Sequence, residues 1–232
     1  MQLFLTSNIW WIKKENWQKV STEFSNENNF LDNLKNSLDN HHKFVLISSD
    51  PANYLWNDKF LDLDVKALMM SWLTFEKYEV LDYRNVDVVE EVLYESSLIF
   101  LSGWNTFVQN KFFNEINLKS YLELLSSSSI VWISAGSMNC ASTVLNFPER
   151  EENIEEPIVL NWLWLCSINI DPHFDEKIRD DFQIKYVLEK SYDSLIYGIP
   201  DWSYVWDKDI YWKYYKVQNG EIYLINTDKN PI

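Results

Sequence analysis

Residues 129–138 read S-I-V-W-I-S-A-G-S-M. The apolar, β-branched run Ile130–Ile133 stops at Ser134, and the small residues Ala135-Gly136-Ser137 follow as the opening of a helix. This is the sequence form of a nucleophile elbow. A strand ends, the backbone turns sharply, and a serine hydroxyl projects over a helix N-terminus. The turn is crowded, so small residues are expected two before and two after the serine. Gly136 meets the second requirement, whereas Trp132 stands at the first. A strand that merely runs into a helix past a serine carries the same few letters. Ser134 as nucleophile therefore needs support from elsewhere in the chain.

Three other segments supply it. Ser102-Gly103-Trp104-Asn105-Thr106 follows the apolar run before the elbow, Asp171-Pro172-His173-Phe174 comes after it, and Pro200-Asp201-Trp202-Ser203 lies further on. Together with the elbow they resemble the peptidase E (aspartyl dipeptidase) family of serine peptidases, whose patterns run GGNT, GxSAG, PHF and DGS. The resemblance extends from the first strand to about residue 225. In three of the four motifs a tryptophan stands where the family has glycine.

The resemblance implies a class I glutamine amidotransferase-like α/β fold and hydrolysis of short peptides, Asp-X dipeptides among them. Ser134 would be the nucleophile and His173 its base. The oxyanion donors would be the amide of Ala135 and the Gly103-Trp104 turn. The family places a carboxylate between serine and histidine, where this chain offers Glu149, Glu151, Glu152, Glu155 and Glu156. Glu155, followed one residue later by Pro157-Ile158, matches best, and Glu151 comes next. Asn105 is the expected substrate contact in the GGNT-like turn. Arg179 or Lys177 is the expected cation for an acidic substrate side chain, although a solvated helix face is the plainer reading of both.

Other classes stay open at this point. The order serine, acid, histidine also suits an α/β-hydrolase esterase. Cyanophycinase, which cleaves aspartyl-arginine units, is the closest enzymatic alternative. A glutamine amidotransferase would need cysteine at 134. A binding domain that kept the fold and lost the site is the non-enzymatic reading, and Trp104 and Trp132 taken literally favour it.

The chain of 232 residues fits one α/β domain over 1–232, long enough to bury a sheet between helices. A net charge of −15 and a pI near 4.6 argue against nucleic acid or an anionic membrane as partner. No run approaches about 18 apolar residues, and Met1–Leu5 is too short and uncharged for a signal peptide. Cys140 and Cys166 lack metal or redox spacing, and His41-His42 reads as solvated. A cytoplasmic protein is expected, without cofactor or metal. Its expected partners are a small peptide substrate and, as an option, a second copy in a homodimer.

Glycine and tryptophan are the compositional anomaly. Average usage of about 7% predicts roughly 16 glycines in a chain of this length. There are 4, with 12 tryptophans. Trp10-Trp11, Trp56, Trp104, Trp132, Trp162, Trp164 and Trp202 stand where turns and elbows want glycine. That is the pattern expected of UGA codons, which some bacterial codes read as glycine and another common table reads as tryptophan. Indole at 132 is expected to displace the helix behind the elbow, and indole at 104 to obstruct the substrate.

Outside the motifs, apolar runs at 3–6, 44–49, 78–82, 98–101 and 130–133 read as strands. Helical spacing at 27–40 (Phe30, Leu31, Leu34, Leu38), 57–70 (Phe60, Leu63, Ala67, Met70) and 86–95 (Val88, Val89, Val92, Leu93) alternates with them. This alternation predicts right-handed βαβ units and a parallel sheet. Beyond 190, short aromatic strands separated by turns read as an antiparallel extension, with only the last six residues frayed.

Overall fold

The computed structural model describes every residue except 10, 142–143, 148–157, 161–164, 208 and 232. Its centre is a set of parallel strands: β1 (Gln2–Thr6), β4 (Lys43–Ile47), β5 (Lys77–Leu81), β6 (Ser96–Leu101) and β7 (Ser129–Ile133). The spatial order is β1-β7-β6-β4-β5. Both faces are covered, so the inner strands carry largely continuous apolar runs rather than alternating ones, whereas edge strand β5 is buried only at its last residue. β4, β6 and β7 are buried along their whole length.

The crossovers are helical. α1 (Phe30–Asn36) buries Phe30, Leu31 and Leu34, and α2 (Tyr54–Met70) buries Leu63, Ala67 and Leu68. α3 (Val89–Leu93) buries Val89, Val92 and Leu93. Two residues expected inside are not: Met70 ends α2 half exposed, and Val88 lies before α3 in a short 3-10 turn. Both sit at element ends, where helical periodicity no longer dictates the face. α4 (Thr106–Glu115) and α5 (Leu118–Leu122) join β6 to β7, and α6 (Ala135–Cys140) follows the elbow.

Smaller elements complete the chain. β2 (Ile12–Glu15) and β3 (Gln18–Ser21) make a polar hairpin, and β8 (Val144–Asn146) pairs with β9 (Ile158–Leu160). β10 (Asn169–Pro172) leads into α7 (Phe174–Lys177) and α8 (Asp181–Lys190). β11 (Ile196–Ile199), β12 (Tyr204–Trp206), β13 (Asp209–Gln218) and β14 (Glu221–Pro231) follow. The expected frayed tail is instead the far end of β14, paired with β13.

The antiparallel strands decide where the site forms. β12 runs antiparallel to β1, with Tyr204 opposite Thr6, so it begins where the parallel strands end. The long β13 pairs with β12 through its first part and with β11 through its last. β10 lies parallel to β11 with Pro172 opposite Ile199. The residues just past these two strands, His173 and Pro200-Asp201, therefore emerge side by side. They do so at the carboxyl edge of β1 and β7, the edge at which open α/β sheets bind ligands.

Candidate active site

Ser134 occupies the expected strand-to-helix turn. Its backbone holds φ 51° and ψ −115°, an unfavourable region for a residue with a side chain. The surroundings over-determine that conformation. The Ser134 amide donates to Thr6 O at 3.0 Å. Ser137 Oγ donates to Thr6 O (2.7 Å) and Trp132 O (2.8 Å), and accepts from the Thr6 amide at 2.9 Å.

Two glycines let backbone approach the elbow. A Cβ on Gly136 would lie 2.7 Å from Leu101 O, and one on Gly103 would lie 2.8 Å from both Ile133 O and Ser134 Cβ. Gly136→Ala is accordingly expected to cost about 1–3 kcal/mol through overpacking. The obstructing atom is backbone and cannot rotate away. Thermal melting of the variant checks this.

Ser134 Oγ lies 2.9 Å from His173 Nε2. His173 itself adopts a left-handed conformation (φ 56°) between β10 and α7, and its amide donates to Ser7 Oγ at 2.8 Å. Its Nδ1 lies 2.8 Å from Asp201 Oδ1. Asp201 also accepts from Ser7 Oγ (2.8 Å) and from Asn8 Nδ2 (3.5 Å). Burial pushes the Asp201 carboxyl up, but the His173 bond and charge, with the Ser7 and Asn8 bonds, more than offset it. The net shift is downward, so Asp201 stays ionised at neutral pH.

Asp201 is thus the carboxylate bonded to His173 among the described residues, and it is not one of the acids expected for that role, of which Glu155 came first. Glu149, Glu151, Glu152, Glu155 and Glu156 all lie outside the described residues. The order along the chain becomes serine, histidine, aspartate. A signal for Asp201 was present in the sequence, since it is the acid of the DGS-like segment, but that motif carried no role in the sequence reading.

The other expected residues divide. Gly103 and Trp104 border the same cavity as Ser134 and His173, and Ala135 is buried at the first position of α6. Asn105 does not line that cavity. It caps α4, accepting from the amides of Phe107 and Val108 at 3.0 Å each, as an N-cap asparagine does. Lys177 is buried and paired with Asp171, and Arg179 is exposed beyond α7 with its charge acting on Tyr215. Among the described residues no lysine or arginine lines the cavity.

A buried amide network braces the Gly103-Trp104 turn. Gln109 Nε2 donates to Ser102 O, and Asn139 Nδ2 on the elbow helix donates to Gln109 Oε1 at 3.0 Å. Asn110 Nδ2 then donates to Asn139 Oδ1 at 2.9 Å. The turn and the elbow are thereby tied to one scaffold.

The cavity itself measures about 330 Å³, with Ser7, Ser102, Ser134 and His173 on its wall. A strained serine and a histidine at its hydroxyl border it, and a carboxylate stands behind them at the far ring nitrogen. Residues 66–210 match the profile of Peptidase family S51. The chain belongs to that family.

Solved structures give the fold. A peptidase from an acI-B1 Actinobacterium superposes with a TM-score of 0.71 at 16% identity, over 100% of this chain and 96% of that one. A peptidase E protein from Listeria monocytogenes EGD-e gives 0.58 at 16% identity, over 97% and 98%. Among curated proteins none matches. The expected mostly parallel sheet with helices and antiparallel C-terminal strands is the one observed, and it matches the fold of these peptidases. No helix of the described residues is long and apolar enough to cross a membrane.

Trp10, Trp162 and Trp164 lie outside the described residues, and two groups stand out among the others. Trp17, Trp72 and Trp202 hold φ of 67°, 61° and 73°, and the first two are 100% and 85% exposed. Trp104 is 73% exposed on the turn beside Ser134. Others are packed: Trp11 stacks on Phe24, Trp206 on Phe4, and Trp132 meets Phe113 edge-on inside the core. The Trp132 indole, expected to crowd the helix behind the elbow, lies in the core cluster beside Phe113. Its cost appears instead as a buried ring N–H with no partner among the described residues.

Proposed function

We propose that this S51 peptidase is a serine-type hydrolase of short peptides. Ser134 is the nucleophile, His173 the general base and Asp201 the carboxylate that orients the base. One observation carries the reading: the 2.9 Å approach of Ser134 Oγ to His173 Nε2 on a positive-φ elbow. As Oγ attacks the peptide carbonyl carbon, its proton passes to Nε2, and Nδ1–H donates to Asp201, which stabilises the imidazolium. The carbonyl oxygen, now negative, accepts from the amides of Ala135 and the Gly103-Trp104 turn. Nε2 then returns the proton to the leaving amine, giving an acyl-enzyme that water cleaves by the reverse sequence.

A cavity of about 330 Å³ suits a peptide of two residues, at the small end of ligand sites. Dipeptides are therefore the first substrates to offer. A preference for Asp-X has no cationic partner on the described wall.

A second reading, a binding domain without turnover, draws on Trp104, whose exposed indole borders the cavity. A fluorophosphonate probe separates the two. Hydrolase chemistry predicts a covalent adduct on Ser134, found by peptide mass mapping and absent from His173→Ala. A folded protein that stays unlabelled supports the binding domain.

A further inference from the structure

Besides His173, the described wall of the cavity carries a single ionisable side chain, Asp64. It lies on α2 between the buried Leu63 and the buried Ala67-Leu68, and is itself 1% exposed. An acid at such a position is costly unless something answers its charge. The described residues give it one hydrogen bond, from the Trp11 indole N–H to Oδ1, and Trp11 borders the same cavity. Among the described residues no lysine or arginine pairs with it. Lys19 sits over the ring of Phe60, another wall residue, with Nζ 4.6 Å from the centroid, and makes no ion pair with Asp64. Burial raises the Asp64 pKa to about 7, with the Trp11 bond pulling the other way. Among the described residues, then, this buried carboxyl has no cation beside it.

We propose that Asp64 is the ammonium-recognising group of the substrate cavity. It would hold a protonated amine of the substrate while the scissile carbonyl faces Ser134. The inference rests on the peptide-hydrolase reading and adds a substrate class, peptides that bring a cation into the cavity. That cation has two sources, the α-ammonium of a free N-terminus or the side-chain ammonium of a basic residue. They differ in reach. An α-ammonium stays within one residue's span of the carbonyl, about 3.5 Å, whereas a lysine ammonium stands further off on its four-carbon stem.

The test reads binding without turnover, in the Ser134→Ala protein, by titration calorimetry. The probes are alanine p-nitroanilide, N-acetyl-alanine p-nitroanilide and N-acetyl-lysine p-nitroanilide. At least one cationic probe is expected to bind about tenfold or more tightly than the neutral one, the scale of a charge-assisted hydrogen bond. The tighter of the two names the source. Adding Asp64→Asn, which keeps the oxygen that accepts from Trp11, is expected to erase the advantage. Equal binding of all three probes overturns the proposal even if the Asn variant fails to fold, and so does an advantage that survives Asp64→Asn. Because binding is read without hydrolysis, a parent protein that cleaves nothing would count against the hydrolase reading alone.

Discussion

Alanine in place of Ser134 is expected to lower kcat for peptide hydrolysis by roughly 10⁴- to 10⁶-fold. The hydroxyl that forms the acyl bond is gone, and the oxyanion donors retain only residual catalysis. His173→Ala is expected to cost about as much, since Ser134 Oγ then has no base at the 2.9 Å now separating it from Nε2. The double variant should lose little more than either single one, because nucleophile and base act as a unit. Asp201→Asn tests the third member. It preserves shape but removes the charge and puts an amide N–H donor where one of the carboxylate oxygens stood, so the histidine tautomer set at 2.8 Å is no longer enforced, and a loss on the order of 10⁴-fold is expected. The same change at Glu155 should cost far less. Steady-state kinetics on one dipeptide decide all five. Losses that multiply in the double variant, or a larger loss from Glu155→Gln than from Asp201→Asn, would reject the assignment.

That Asp201 meets His173 was not legible in the sequence, for a physical reason. The parallel half of the fold was legible because a strand covered on both faces is a continuous apolar run, and 130–133 is one. The elbow was legible because its crowding dictates small residues locally, and Gly136 answers to Leu101 O. Asp201, by contrast, reaches His173 through long-range pairing. β11 and β12 must both lie on β13, and β12 must start beside the end of β1. No periodicity within 195–206 encodes that meeting. The capping role of Asn105 was hidden for a related reason. An asparagine in a family motif looks like a ligand-binding group, whereas its neighbours make it the cap of α4. The hairpin β2–β3 escaped notice because its strands, I-K-K-E and Q-K-V-S, offer almost no apolar alternation.

Glycine at positions 17, 72 and 202 together is expected to stabilise the chain by roughly 3 kcal/mol. A side chain in the left-handed region costs about 1–2 kcal/mol, and glycine avoids it at a smaller entropic cost. Trp17 and Trp72 are almost wholly exposed, so little packing is lost there. Trp202 is half-buried in the turn that delivers Asp201, where its amide donates to Asn8 O at 3.2 Å. Glycine keeps that backbone bond. The melting temperature should rise about 2–4 °C for each kcal/mol in a chain of this size. Trp132→Gly alone should move the other way. Removing a fully buried indole leaves a cavity costing about 3–5 kcal/mol, more than the roughly 1–3 kcal/mol regained from its unpaired N–H. This contrast separates positions whose backbone asks for glycine from those whose packing has accommodated tryptophan. Three exposed or turn tryptophans at positive φ are what UGA read through the wrong table would leave behind. If the three glycine variants melt no higher than the parent, these turns do not require glycine, and the UGA reading loses its structural footing.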